Sequence, residues 1–187
     1  MNLGDNQKKR LLQIARRAIF SSLRRERIDH ASCDTDELCG LVAPAFVTLT
    51  KNTQLRGCIG QLHPEQPLGE LIARMACEAA FHDPRFPPLA LEEAADIEVE
   101  ISILTPLEPV GNSGEIHPGE DGLVVEGHGH KGLLLPQVAA KYRWDSSTFL
   151  AQTCHKAGLP KDAWKDPHVK IWKFQALVFS DNDFAEV

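Results

Sequence analysis

The sequence predicts an α+β fold in which mostly antiparallel strands pack with flanking helices. Two long segments of the 187-residue chain carry apolar residues at three- and four-residue spacing, which is typical of helices that bury one face. Other segments alternate apolar and polar residues, or form β-branched runs around short polar turns, which is typical of strands and hairpins. The chain is long enough to bury a core without a metal or disulfide framework.

The first helix is predicted from about Asn6 to Arg27, with Asp5 or Asn6 as its cap. Residues 1–28 hold eight Lys or Arg against Asp5 and Glu26, a local net charge of +6, so the total of −6 leaves −12 for the rest. We assign the basic residues to the solvated back of an amphipathic helix. Nucleic acid is a disfavoured partner, because the acidic remainder of the chain repels phosphate.

A hairpin and a second helix are predicted after the polar connector DHASCDTDELCG (29–40). AFVTLT (45–50) and LRGCIGQL (55–62) flank the turn KNTQ, and PLGELIARMACEAAFH is a helix that Pro67 introduces. The breaker-rich DPRFPPLALEEAA follows. DIEVEISILTPLEPV then alternates apolar residues inward with Glu98, Glu100 and Ser102 outward, which predicts a strand with one buried face. The inward set is Ile97, Val99, Ile101 and Ile103.

The last third of the chain repeats this order. LVVEGHGHKGLLLPQV is a predicted hairpin around Gly127 to Gly132. SSTFLAQTCHKAGLP is a predicted helix capped by Ser146 or Ser147 and closed by Gly158 and Pro160, and HVKIWKFQALVF is the final strand. The two hairpin-helix stretches align with Gly57 and Gly132 offset by 75 residues. We therefore expect two similar lobes and a possible internal duplication.

The five cysteines match neither a disulfide scaffold nor a paired CxxC zinc pattern, which predicts reduced thiols and a cytoplasmic protein. No window approaches about eighteen consecutive apolar residues, and the N-terminal segment lacks the apolar stretch of a secretory signal, so no membrane association is expected. The cysteines are Cys33, Cys39, Cys58, Cys77 and Cys154.

The stretch LRGCIG places Cys58 beside a cation and between two glycines. A guanidinium such as that of Arg56 favours the reactive thiolate, and Gly57 and Gly60 let a ligand or another backbone approach closely. On a regular strand Arg56 and Cys58 share one face, and a small buried cysteine in a tight packing site fits the same residues. The sequence leaves both interpretations open.

A thiol nucleophile needs a base, and His63 and His82 are the candidates. In HDPRF, Asp83 could orient the imidazole of His82, or it could pair with Arg85. The same residues are typical of a turn in which the Asp side chain bonds the following backbone amides. An arginine in such a rigid loop is also suited to holding an anion.

No metal site is predicted. Cys58 with His63, His128 with His130, and Cys154 with His155 are the only clusters, and none has the spacing of a known metal motif. GHGHKG lacks the phosphate-loop pattern and opens onto the predicted strand LLLPQV, GxSxG is absent, and no cofactor is identified.

Several blocks in order resemble one family, the AMME-region candidate (AMMECR) domain, also called AmmeMemoRadiSam system protein A. They include FVTL, LRGCIGQL, DPRFPPL, IEVEISILTP, GEDGLVV, GLLLPQVA, WDSSTFL, CHKAGLP and FQALVF, between about Phe46 and Phe179. The resemblance implies a single domain over residues 1–187, with halves at about 45–110 and 116–180 after the N-terminal helix. It also implies a larger and a smaller lobe with a cleft between them and the RGCIG strand near that cleft.

The resemblance implies partners rather than a reaction, because the family occurs fused to or beside Memo-like and radical SAM proteins. Its characteristic residues fall on two stretches, 56–60 and 83–86, and on Leu135, Pro136 and Gln137. Two departures are visible. Lys141 stands where relatives tend to be acidic, and GHGHKG is rich in histidine.

We therefore expect a cytosolic binding or accessory domain with an anion-binding cleft, acting with Memo-like and radical SAM proteins. The expected ligand is a small anionic molecule, and the sequence leaves enzymatic activity and the oligomeric state open. The alternative is an enzyme with Cys58 as nucleophile and His82 or His63 as acid-base. The expected binding residues are Arg56, Gly57, Gly60, Asp83, Arg85, Phe86 and Gln137.

Overall fold

The computed structural model describes residues 3–26 and 41–184. The connector 29–40, with Cys33 and Cys39, and the predicted helix end at Arg27 lie outside these ranges. The described part forms two compact units. The first contains the residues up to Ile103 and those from Leu177 onward, and the second spans Leu104–Ala176. The helices of the described part are α1 (Asp5–Leu23), α2 (Leu68–Phe81), α3 (Pro136–Tyr142) and α4 (Ser146–Lys156); its strands are β1 (Ala45–Lys51), β2 (Gln54–Gln61), β3 (Ile97–Leu104), β4 (Glu108–Pro109), β5 (Asp121–Gly127), β6 (His130–Leu134) and β7 (Lys170–Ser180).

The first unit packs α1 and α2 on a sheet whose strand order is β2-β1-β3, followed by the end of β7. β1 pairs antiparallel with both β2 and β3, and a two-residue turn joins β1 to β2. Asn52 and Thr53 both have positive φ, as a tight hairpin turn requires. The predicted inward residues of β3 are buried in the core that α1 and α2 cover, so the predicted hairpin, helix and strand are confirmed. Glu98 and Glu100 are half-buried, but Ser102, predicted to face outward, is only 1% exposed, because β3 is buried on both faces at its end.

Helix α1 ends at Leu23, whereas the sequence predicted an end near Arg27. The stop is a Schellman motif in which the Glu26 N–H donates to the Ser21 carbonyl at 2.8 Å and the Arg25 N–H donates to the Ser22 carbonyl at 3.1 Å. Arg25 takes the left-handed position, with φ of 58°, that glycine usually occupies. The missing glycine is why the sequence did not indicate this end.

The second unit contains β5 paired antiparallel with β6 and with the first part of β7, and β4 paired with the same part of β7. Two of its predicted features are corrected. Helix α4 is capped by Asp145, whose carboxylate accepts from the Thr148 N–H at 2.7 Å, and not by Ser146 or Ser147. The segment PQV, predicted as strand, begins α3 at Pro136, because proline suits the first turn of a helix.

Each unit contains the order hairpin, helix, strand, with the returning strand beside the first strand of the hairpin: β2-β1-β3 in one and β6-β5-β7 in the other. A Cβ at Gly57 would lie 2.1 Å from the Ala79 carbonyl oxygen, and one at Gly132 would lie 2.5 Å from the Ala157 nitrogen. The aligned glycines therefore occupy matching places where a helix approaches a strand. The predicted α+β fold with mostly antiparallel strands is confirmed.

Candidate functional site

Asp83 joins the DPRF turn to strand β2. Its side chain is 1% exposed, and its Oδ2 accepts from the Cys58 backbone N–H at 2.9 Å. Its Oδ1 accepts from the Arg85 backbone N–H at 3.1 Å, which is the geometry of an Asx turn. Two hydrogen bonds from the Arg85 side chain, together with those from the Cys58 and Arg85 backbone amides, hold the pKa of Asp83 well below its usual range.

The Arg85 guanidinium is fixed on two sides and open on the third. Nε donates to Asp83 Oδ1 at 2.9 Å, and Nη2 donates to Asp83 Oδ2 at 2.7 Å and to the Cys58 carbonyl at 3.2 Å. The side chain remains 43% exposed, and its Nη1 makes no hydrogen bond with any residue that the structure describes. Arg85 therefore presents an ordered donor group to solvent.

These contacts also protect the edge of the sheet. β2 pairs only with β1 among the described strands, so its outer backbone groups would otherwise be available to another chain. At Cys58 the outward N–H donates to Asp83 and the outward carbonyl accepts from Arg85, as a neighbouring strand would arrange. The RGCIG and DPRF stretches thus form one structural assembly.

Arg56 lies at a β-bulge. β1 and β2 pair Leu49 with Gly57 but Thr50 with Leu55, which leaves Arg56 as the extra residue. The strict alternation that relates Arg56 to Cys58 on a regular strand is therefore interrupted, and the Arg56 side chain, only 10% exposed, is directed to Glu93.

Glu93 holds Arg56 as Asp83 holds Arg85. Arg56 Nε and Nη2 donate to the two Glu93 oxygens at 3.2 and 3.0 Å, with Lys51 Nζ also 3.2 Å from Oε1. The Arg56 bonds, the Ala90 backbone N–H and Lys51 lower the pKa of Glu93 to about 2. Arg56 Nη1 is buried and has no hydrogen-bond partner among the described residues.

The Phe86 ring lies close to both guanidinium groups. The ring centroid is 5.4 Å from Arg85 Cζ and 6.0 Å from Arg56 Cζ, which is within cation–π range. A β-turn places the ring there, since the Phe86 N–H donates to the Asp83 carbonyl at 3.1 Å. The site is therefore two cations, each held by a carboxylate, with one half-buried aromatic ring beside both.

Cys58 sits beside this assembly as a half-buried thiol. Burial raises its pKa, and the charges of Asp83 and Glu100 raise it further, whereas the Thr48 hydroxyl, 3.3 Å from Sγ, and the Arg85 charge lower it. The net pKa is above the ordinary thiol value. Arg85 acts in the direction expected from the sequence, but desolvation outweighs it.

The space beside each of the two glycines of RGCIG is filled by packed protein atoms. Gly57 faces the backbone of α2. A Cβ at Gly60 would lie 2.2 Å from Cγ of Phe46, so an aromatic ring fills the space above it. No room for a ligand is left directly over either glycine.

The remaining predicted residues lie apart from Cys58 or in the second unit. The His82 side chain is 64% exposed, and its Nδ1 is 3.5 Å from Glu78 Oε2. His63 is exposed. No hydrogen bond joins either imidazole to Cys58 among the described residues. Gln137 is half-buried on α3 of the second unit.

Sequence reasoning missed two residues of the site, Thr48 and Glu93. Thr48 faces Cys58 only because of the bulge, and Glu93 carries no motif that marks it. Within residues 3–26 and 41–184, no group of three or more His, Cys, Asp or Glu side chains is arranged to hold a metal ion. Along the same residues, no helix combines the length and apolar character needed to cross a membrane.

Comparison with known proteins shows the family of the chain. The AMMECR1 family model matches residues 12–179. The chain is 42% identical over 186 residues to a protein of Methanothermobacter thermautotrophicus, with 96% of this chain and 97% of the relative covered. It is also 42% identical over 181 residues to Protein TK0174 of Thermococcus kodakarensis, with 91% and 88% covered.

A crystal structure with the same fold is that of PH0010 from Pyrococcus horikoshii. It superposes with a TM-score of 0.90 at 40% sequence identity, covering 95% of this chain and 93% of that one. The family model spans most of the chain, and relatives at this identity cover nearly all of it. The chain belongs to the AMMECR1 family.

Proposed function

We propose that the protein is a cytosolic accessory domain that binds an anionic group at the face formed by Arg56, Arg85 and Phe86. In keeping with the family resemblance, it would act together with Memo-like and radical SAM proteins. The observation that carries the proposal is the fixed Arg85 guanidinium, which is held through Nε and Nη2 while the side chain stays 43% exposed. A carboxylate or phosphate of a small molecule is the chemical class that such a donor takes.

Preorganisation supports a binding role. A free arginine side chain loses up to about 2 kcal/mol of rotamer entropy when a ligand orders it. Asp83 already holds Arg85 in one geometry, so an incoming anion would not bear that cost. Asp83 offsets much of the Arg85 charge, so the fixed geometry of the donors, rather than long-range electrostatic attraction, would select the ligand. Binding should therefore depend only modestly on salt concentration.

The same geometry argues against the alternative, a Cys58-dependent enzyme. The raised pKa keeps the thiol protonated at neutral pH, and thiolate is the nucleophilic form. Neither His63 nor His82 is hydrogen-bonded to the sulfur among the described residues. Thr48, which donates toward Sγ, is no general base.

Co-elution with purified Memo-like and radical SAM proteins on size exclusion tests the proposal. Arg85→Lys keeps a cation opposite Asp83 but loses the planar fork, so we expect a stable variant that no longer co-elutes. Arg17→Ala, at an exposed position on α1, is the matched control and should behave as wild type. Cys58→Ser should also co-elute. Loss of co-elution with Cys58→Ser but not with Arg85→Lys would contradict the proposal.

A further inference from the structure

A second surface lies entirely within the second unit, and no residue of the Arg85 site belongs to it. It is a groove of about 360 Å³ between the chain at 109–111 and the segment 164–172. Two of the three tryptophans, Trp164 and Trp172, line it, together with Pro109 and Pro167. Both indoles are half-buried, which leaves part of each ring for a partner.

The two indoles differ in how the fold uses them. Trp164 packs against both apolar clusters of the unit, so its inner edge is structural. Trp172 packs against neither cluster; its strand partners are Pro109 on one side and the buried Val124 on the other. A large aromatic that stays half-exposed beside the core is typical of recognition surfaces, where tryptophan contributes disproportionately to affinity.

The backbone at the groove excludes an added β-strand. β4 pairs with β7 on one side, where the Val110 N–H donates to the Ile171 carbonyl at 3.0 Å. Backbone amides alternate sides along a strand, so the nitrogen of Pro109 faces the outer edge, and proline has no N–H to donate. A partner must therefore bind through side-chain faces.

The charges of the groove favour an acidic partner. Lys165 and Lys170 are exposed at its rim. The one carboxylate of the lining, Asp166, is occupied: its Oδ2 lies 3.0 Å from His128 Nε2 and its Oδ1 accepts from the His168 N–H at 2.8 Å. Lys165 Nζ also lies 5.3 Å from the Trp164 ring centroid, which puts positive charge directly beside the indole.

We propose that this groove binds a proline-rich segment of a partner protein, in polyproline II conformation and flanked by acidic residues. Polyproline II makes no internal hydrogen bonds and presents proline ring faces, which pack on indoles. The prolines would lie against Trp164 and Trp172, and the acidic residues would meet Lys165 and Lys170.

Fluorescence anisotropy with a labelled Glu-Pro-Pro repeat peptide, about ten residues and about 30 Å long in this conformation, tests the proposal. Wild type should bind it more tightly than peptides with Gly-Gly in place of Pro-Pro or with Lys in place of Glu. Trp172→Ala should weaken binding by more than about tenfold. Tyr142→Ala, an exposed aromatic outside the groove, is the control and should bind as wild type.

A double variant, Lys165→Glu with Lys170→Glu, keeps the aromatic groove and should prefer the Lys-Pro-Pro peptide. The proposal is overturned if wild type binds none of the peptides, if the Gly-Gly peptide binds equally well, or if Trp172→Ala binds as wild type. Tighter binding of single-stranded DNA, or wild-type self-association abolished by Trp172→Ala, would overturn it in favour of another occupant.

Discussion

Replacing Asp83 by asparagine tests how much the assembly of RGCIG and DPRF stabilises the first unit. The carboxylate accepts four hydrogen bonds, from the Cys58 amide and from one backbone and two side-chain nitrogens of Arg85. Asparagine keeps one acceptor oxygen and turns a donor toward these donors. Removing one partner of a buried charge pair costs about 3 to 5 kcal/mol. Because Arg85 is 43% exposed and regains water, we expect about 3 kcal/mol.

The assay is thermal and urea unfolding followed by circular dichroism. For a chain of this size, about 3 kcal/mol corresponds to a fall in Tm of about 6 to 12 °C. Because the folded-state pKa of Asp83 is depressed, its contribution is present above the unfolded value of about 3.9 and is lost as pH falls through the folded value. Asp96→Asn, at an exposed position of the same unit, should leave stability unchanged. A change below about 0.5 kcal/mol for Asp83→Asn, the size of an ordinary surface substitution, would refute the reasoning.

Three further substitutions follow from the first unit. Gly57→Ala places a Cβ 2.1 Å from the Ala79 carbonyl oxygen, so we expect destabilisation of about 3 kcal/mol, and unfolding at the wild-type urea concentration would contradict this. Glu93→Gln removes the Arg56 ion pair; since the pKa of Glu93 is lowered to about 2, the wild type should exceed the variant in stability above about pH 4.5 and lose that advantage as pH falls through about 2. A difference that grows on acidification would refute that assignment. The Asp181 carboxylate accepts from the Val99 N–H at 2.8 Å and from the side chain of Arg16 on α1. Asp181→Asn weakens this acceptor, so it should lower the free energy of unfolding by about 2 kcal/mol. Unchanged urea unfolding would show that these bonds contribute little.

The regular elements of the fold follow from local sequence patterns. The alternation in β3, the apolar period of α2 and the polar turn at 52–53 each indicate their element directly, because burial of one face imposes the period. The ends depend on tertiary or unusual local geometry. Arg25 in a left-handed conformation has no sequence signal, and Asp145 competed with two adjacent serines that are equally good caps.

The local contacts of the candidate site were among the alternatives that the sequence offered, whereas its long-range contacts were missed. The Asp83 turn and its pairing with Arg85 span two residues, so the motif itself contains them. The hairpin turn alone would pair Thr48 with Gly57; the bulge at Arg56 moves Thr48 opposite Cys58. A β-bulge depends on the tertiary contacts of its strand, and these contacts cannot be read from a single sequence.

The bond from the Cys58 amide to Asp83 is also invisible in the sequence, since it joins positions 25 residues apart through the backbone of one and the side chain of the other. This bond gives the RGCIG motif a structural role in place of the catalytic role considered from the sequence. The cysteine position is where the edge strand is closed, and the neighbouring cation is held by a carboxylate rather than by the thiol.

The protonation state of Cys58 distinguishes most directly between the proposed binding function and the alternative of a Cys58-dependent enzyme. It can be measured as the rate of iodoacetamide alkylation of Cys58 against pH, read by peptide mass spectrometry with Cys77 as an internal reference. Burial raises the pKa of both thiols, so Cys58 should titrate above the ordinary value of about 8.5 and, like Cys77, react slowly at neutral pH. A Cys58 pKa below about 7.5, with alkylation at neutral pH well ahead of Cys77, would contradict the binding function and favour a nucleophile.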